Sequence, residues 1–525
     1  MNRTVIFITL LSVSFFSAGP LRAQQQSDPG YNSITEAGLR SHIYFLASDY
    51  MNGRVSTTPE YAIAAQYVAS QFAAAGLKPL VMKEGGKPGY MQGLPFARTL
   101  YNDQMFWTVT CKGLETKLVH NTEFKILTGN KFNYDHLPLV YVGYGIEEPA
   151  HDWNDLKDLD LTGKIAVCLT GAPVKDGKPL LPKAIHEKYS GKRGYFFKAF
   201  GGLSGKGAAA VIMVDPDGSS NLVFNDINSS FTAQKTNFVG SQRTNYMSAP
   251  RSSVFLAKPA FLDVIMPGMK NNPNGQADIL KNYKPQMLEK TFLNSQLELL
   301  KEDTLYSNNV IGIVPGTDSL LRDEYIIVGG HLDHVSPQQG QPCNGADDNA
   351  SGSAGVIEIA RAVAMNPCKR TMVFVTWSAE EMGLLGSSYF LKSGLIPKEK
   401  IKFNINMDMI GRTGKENEAT RAHYVVSNKK YVKELTAFIN GLNNGVTDFP
   451  ILFNDDEHSP GGSDHMSFIQ AGIPAFFFFS GVHDDLHNPG DDPEKIDYPK
   501  AARICRLGYL IAEKLGNMEV VPTFE

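Results

Sequence analysis

Apolar and polar positions change rhythm twice along the 525-residue chain. In "TTPEYAIAAQYVASQFAAAGLKP" they recur at helical spacing, with Tyr61, Ala64, Ala65, Val68 and Phe72 on one face. Thr57 or Thr58 supplies the N-cap, Pro59 suits the first turn and Gly76 closes the helix. From about Asn102 the pattern shortens to runs such as "FWTVTCKG", "LPLVYVGYGI", "KIAVCLTG" and "AAAVIMVDP", divided by Gly, Pro, Asn and Asp. These predict a β-rich block that ends near Asn294 and includes the loop-like "KNNPNGQ". From about Gln296 the third rhythm begins. Strongly apolar runs ("NNVIGIVPG", "EYIIVGG", "RTMVFVTWS", "IKFNINMDMIG", "IPAFFFFSG") alternate with helical ones ("SGSAGVIEIARAVAM", "KKYVKELTAFINGL", "YPKAARICRLGYLIAEKLG"). Near-continuous apolar strands between helices predict an α/β fold with a mostly parallel central sheet flanked by helices on both faces. In that setting "AFFFF" reads as a buried strand rather than a substrate platform. The predicted organisation is a discontinuous α/β domain, 31–101 and 297–525, interrupted by the β-rich block at 102–296.

The N-terminus follows another logic. Arg3 precedes an apolar run from Val5 to Phe16, and "SAGPLRAQQQ" then offers small residues for cleavage after Ala23. Residues 1–23 therefore read as a secretory signal peptide, too short to remain as a membrane span. The expected location is periplasmic or extracellular, with no membrane anchor after the signal is removed. Net charge is -4 and no basic stripe is present, which argues against a nucleic-acid partner. Five scattered cysteines form no disulfide framework.

Candidate chemistry gathers at the strand ends. "EYIIVGG" runs into His331, Asp333 and His334, "RTMVFVTWS" into Glu380 and Glu381, and "IKFNINM" into Asp408. "AFFFFSG" leads to a loop with His483 and His487, and the pair Asp347–Asp348 in "GADDNASG" precedes a helix. Open α/β sheets bind ligands at the carboxyl ends of their strands. Five segments delivering His, Asp or Glu to one edge mark a metal site. Three carboxylates and a hydroxide balance two divalent ions, and imidazole with carboxylate suits zinc. Asp333, two residues beyond His331, is placed to accept its second ring N–H. Adjacent Glu380 and Glu381 point differently, so one can ligate while the other faces the attacking water. Spacing does not say which.

Taken in order, "GGHLDH", "GADDNASG", "SAEEMG", "NMDMIG", "GGSDHMSF" and "LHNPGDDPEKID" resemble the co-catalytic zinc aminopeptidase family. That family also holds glutamate carboxypeptidases and, more distantly, glutaminyl cyclases. The middle block, with "VYVGYGI", "LTGKIAVC" and "GKGAAAVIMV", resembles an inserted protease-associated domain. The resemblance implies a zinc-peptidase sandwich, two zinc ions per chain and peptide substrates. It implies that His331 and Asp408 hold one ion, Glu381 and His487 the other, with Asp347 bridging and Glu380 as general base. His487, in "HNPGD", is preferred to His483, and Leu486 stands where many relatives carry Tyr. His334 is expected as a polar neighbour, and Asp464 and His465 behind the ligands or at the pocket rim. Asp491 orients His487 or sits in an acidic turn. Asp348 is expected to turn away and cap the helix that starts near Ser351, with Asn349 as rival cap. The Asp347–Asp348 peptide is implied to be cis. The implied reaction is aminopeptidase hydrolysis. The competing readings are a carboxypeptidase for acidic C-termini using an Arg such as Arg412, a one-zinc glutaminyl cyclase, and a receptor that has lost its ligands.

Overall fold

The computed structural model describes residues 28–524, apart from 83–85, 103, 129–132, 176, 192–193, 216–221, 223, 227–233, 240–251, 268–283 and 456–461. The expected signal peptide at 1–23 and the "KNNPNGQ" stretch lie outside the described residues. The chain forms two compact units. The first comprises Met1–Phe96, Phe238–Gly240 and Leu305–Glu525, the second Ala97–Asn237 and Ser241–Thr304.

The first unit is built on strands β1 (Leu299–Val314), β2 (Tyr325–His331), β3 (Thr371–Trp377), β4 (Ile401–Met407), β5 (His423–Ser427), β6 (Ile451–Asp455) and β7 (Ala475–Phe479). Across the sheet they lie in the order β1-β3-β2-β4-β7-β5-β6. The four central strands are parallel, as the apolar runs predict. β1 and β5 join them antiparallel, so the sheet is parallel at its centre and mixed at its flanks.

Both faces of the centre are covered, which is why its strands read as continuous apolar runs. Val328, Phe374, Ile405 and Phe478 pack into one core with helices α1 (Glu36–Leu46), α2 (Pro59–Ala74), α3 (Gly352–Met365) and α6 (Tyr498–Asn517). Ile327, Val373 and Val375 pack into a second core with Phe390 of α4 (Leu385–Ser393) and Phe468 of α5 (His465–Gln470). The predicted cap of α2 is present: Thr58 Oγ1 accepts the Tyr61 N–H at 3.3 Å, and the predicted face is buried. No helix among the described residues is long and apolar enough to cross a membrane.

The second unit has an eight-stranded sheet with apolar cores on either side. Trp107 stacks on Phe124 there, ring centroids 3.8 Å apart.

One buried cation orders the loops above β2 in the first unit. Arg54 has no solvent exposure and carries a left-handed backbone, φ 51. Its guanidinium donates to the carbonyls of Leu46 (2.7 Å), Leu332 (2.9 Å), Asn344 (2.6 Å) and Gly345 (3.0 Å). Leu332 follows His331, and Gly345 precedes the Asp347–Asp348 pair, so one planar group ties both segments together. Burial draws its pKa down to about 10 despite the carboxylates of Asp348 and Asp491 nearby. Arg54→Met strands four buried carbonyls, each costing about 1–3 kcal/mol. Chemical denaturation should show a loss of at least ~3 kcal/mol, only partly restored in Arg54→Lys. A change below ~1 kcal/mol would mean that the loops are held by something else.

Candidate metal centre

The polar residues follow β2, β3 and β4 at their carboxyl ends, where the ladder stops and the backbone is free to turn. Non-glycine residues in the left-handed region flank the candidates: Ala379 (φ 58) precedes Glu380, Met409 (φ 54) follows Asp408, and His487 itself has φ 56. Such conformations are held against local preference by surrounding contacts and cluster at functional sites. The Ser480 N–H, donating to the Met409 carbonyl at 2.8 Å, is one such contact.

Two clusters form around a single carboxylate. His331 Nε2 lies 3.2 Å from Asp348 Oδ1 and 3.3 Å from Asp408 Oδ1. His487 Nε2 lies 3.0 Å from Asp348 Oδ2 and 3.2 Å from Glu381 Oε1. His334 Nδ1 lies 3.4 Å and 3.1 Å from the same two oxygens. Atoms bonded to one zinc at about 2.0–2.1 Å stand about 3.0–3.4 Å apart, so this spacing fits an ion within each cluster. Nitrogen and oxygen donors without thiolate also fit.

The shared carboxylate is Asp348, which corrects the expectation that Asp347 bridges. The Asp347 side chain is turned away and occupied: Oδ1 accepts the Gly411 N–H at 2.6 Å, and Oδ2 accepts the Ser480 hydroxyl at 2.9 Å. His483 Nε2 sits 3.4 Å from Asp347 Oδ2 and joins neither cluster. Asp348 does not cap α3 either. Asn349, the rival cap, accepts the Gly352 N–H at 2.8 Å and the Met409 N–H at 3.2 Å. The cis peptide is Asp348–Asn349, one bond later than expected. Neighbouring residues in a turn point in opposite directions without strand periodicity, so spacing could not choose between the two aspartates.

Other positions also resolve. His331 Nδ1 meets the backbone carbonyl of Asp333 at 3.0 Å, not its carboxylate. That carboxylate instead accepts the N–H groups of Glu380 (3.1 Å) and Glu381 (3.4 Å), so Asp333 sets the turn that separates the two glutamates. Asp491 accepts the N–H groups of Asp347 and Asp348 at 3.0 Å and so steadies the aspartate pair rather than His487. Asp464 is fully buried, and burial, with Asp333 and Asp408 nearby, pushes its carboxyl up to about 7. His465 stacks on Phe477 with centroids 4.4 Å apart.

The electrostatics separate the two glutamates. Burial, reinforced by Asp464, Asp408 and Glu381, holds the Glu380 carboxyl well above the usual range. Burial also opposes ionisation of Glu381, but hydrogen bonds from His334 and His487 outweigh it and keep the carboxyl low. Of the two glutamates, Glu380 is therefore the one whose surroundings favour proton uptake. His334 escaped the sequence reading as a cluster member; the only sequence signal was the second His of "GGHLDH".

A cavity of about 330 Å³ opens onto both clusters and onto Glu380. Its apolar wall is made by Leu384, Met409, Phe477, Phe479, Val482 and Leu486. "AFFFF" is thus a buried strand as expected, yet two of its rings also face the cavity. No Lys or Arg lines it among the described residues.

Residues 309–510 match the model of Peptidase family M28. Leucine aminopeptidase 2 of Trichophyton rubrum is 31% identical over 186 residues, covering 33% of this chain and 34% of that protein. Aminopeptidase YwaD of Bacillus subtilis (strain 168) is 30% identical over 201 residues, covering 36% of this chain and 40% of its own length. The matches therefore span about a third to two fifths of these relatives. The solved aminopeptidase from Aneurinibacillus sp. strain AM-1 shares the fold, with a TM-score of 0.52 at 20% identity over 94% of this chain and 97% of its own. Residues 309–510, which carry the parallel sheet and the residues at its carboxyl edge, are thus similar to peptidase family M28.

Proposed function

We propose that the chain is an exported zinc aminopeptidase that removes apolar N-terminal residues from peptides. The observation that carries this reading is the apolar cavity that opens onto the two clusters and Glu380. It suits one hydrophobic side chain beside the scissile bond. Among the described residues the cavity offers no Lys or Arg to receive a C-terminal carboxylate. Arg412, the candidate for that role, instead donates to Asp485 Oδ2 at 2.8 Å. This argues against the carboxypeptidase reading, and the complete donor set argues against a receptor. Relatives named as leucine aminopeptidases support the same choice.

Two ions are assigned, one to His331, Asp348 and Asp408, the other to Asp348, Glu381 and His487. Bound zinc supplies Lewis acidity, polarising the scissile carbonyl and lowering the pKa of water. Glu380 takes the proton of the attacking water and passes it to the leaving amine. Its neighbour Glu381 is held at the cluster by two imidazoles, so the pair divides the work. Asp333 keeps them apart through their backbone N–H groups. Residues 1–23 serve as the export signal, and residues 102–296 are assigned as the protease-associated domain.

The decisive assay is a panel of peptides with free and blocked termini. Leu- and Phe-initiated peptides with a free α-amino group should be hydrolysed and their N-acetyl forms spared. A chelator should abolish activity and zinc restore it. Release of C-terminal residues from N-blocked peptides would overturn the reading. Glu380→Gln should keep its zinc content and lose roughly 10²–10⁴ in kcat. Near-normal turnover would remove Glu380 from the proton path. Asp348→Asn should weaken uptake of both ions, measured by metal analysis after dialysis. Asp347→Asn should retain more metal, and the reverse ranking would return the bridge to Asp347.

A further inference from the structure

Resting on the zinc-peptidase reading, we infer that His334 is a third ligand-bearing imidazole, coordinating the ion held by Glu381 and His487. Its side chain is fully buried, and its Nδ1 faces Asp348 Oδ2 and Glu381 Oε1, the same two atoms that His487 Nε2 faces. These four separations, 3.4, 3.1, 3.0 and 3.2 Å, match edges of a tetrahedron with bonds of about 2.0–2.1 Å. All four donor atoms lie within 4.8 Å of one another. A purely hydrogen-bonding His334 would have one proton on Nδ1 to serve two carboxylates. Coordination uses the nitrogen lone pair instead and answers both at once.

The surroundings keep the ring in place. Gly345 has a left-handed backbone, φ 56, and a Cβ there would stand 2.6 Å from His334 Cγ and Cδ2. Arg54, by binding the Gly345 and Leu332 carbonyls, fixes the two segments between which the ring is inserted. His334 Nε2 is buried without a hydrogen-bond partner among the described residues, so Nδ1 carries the side chain's polar contacts.

The consequence is an asymmetric pair of sites. One has four protein donors, His334, Asp348, Glu381 and His487. The other has three, His331, Asp348 and Asp408. A site closed by four protein ligands has structural character, whereas a three-ligand site keeps a position open for water or substrate. The four-donor site should therefore fill first and release its ion last.

The test uses the full chain loaded with two equivalents of cadmium-113 and a through-bond proton–cadmium correlation spectrum. Carbon-bound ring protons couple to cadmium only in coordinated imidazoles. The expected result is one cadmium coupled to two imidazoles and the other coupled to one. Two cadmium signals each coupled to a single imidazole would overturn the assignment and leave the peptidase reading intact. A chain that takes up no metal would overturn both. In His334→Ala, competition with a chelator should weaken the tighter equivalent by about tenfold or more and leave the other within about threefold. Unchanged stepwise affinities in that variant would also overturn it. The wild-type coupling pattern decides the matter on its own if the variant fails to fold.

Discussion

Like charge without water is the constraint that shapes the carboxyl edge of this sheet. Asp333, Asp347, Asp348, Asp408, Asp464 and Asp491 are all buried there. Carboxylates gathered out of solvent repel and lose hydration, so each needs a donor. The chain supplies two kinds. Asp333, Asp347 and Asp491 are answered chiefly by backbone N–H groups and a serine hydroxyl. Asp348 and Asp408 face imidazoles instead, with Glu381 beside them. The first group turns charge into loop architecture. The second leaves it directed at two points where donor atoms from several segments converge. Burial disfavours ionisation of Glu380, whereas imidazoles hold Glu381 in its charged form, which is why two adjacent glutamates of one turn diverge in character.

The parts of this arrangement that were legible in the sequence are those that inherit strand regularity. His331, Glu381 and Asp408 follow or end apolar strands whose direction and order are set by burial on both faces, and they do converge. His487 was marked by its "HNPGD" setting. The pattern stops being informative where the ladder ends. Which of Asp347 and Asp348 turns inward depends on a loop pinned by Asp491, Gly411 and Ser480, contacts from segments more than sixty residues away. His334 lies beyond the last β2 residue, so no alternation rule applies to its direction. Asp333 failed similarly: its spacing was right, but the backbone carbonyl rather than the side chain meets His331.

Arg54 carries the same lesson for the N-terminal segment. It stands just ahead of the amphipathic helix α2. In the fold it is enclosed, and its partners are carbonyls rather than acids. Carbonyl partners leave the charge unneutralised at contact range, so the residue acts both as a clamp on two loops and as a positive background for the nearby carboxylates.

The alternation of β7 separates two burdens that many proteins place on the same side chains. Phe476 and Phe478 enter the main core, whereas Phe477 and Phe479 join a small separate cluster and line the cavity. Core packing and cavity lining thus occupy opposite faces of one five-residue strand. The cavity face is open to exchange of ring for aliphatic side chain without disturbing the packing behind it. A lineage with this strand has a route to new cavity shapes that leaves the sheet, and the edge it presents, in place.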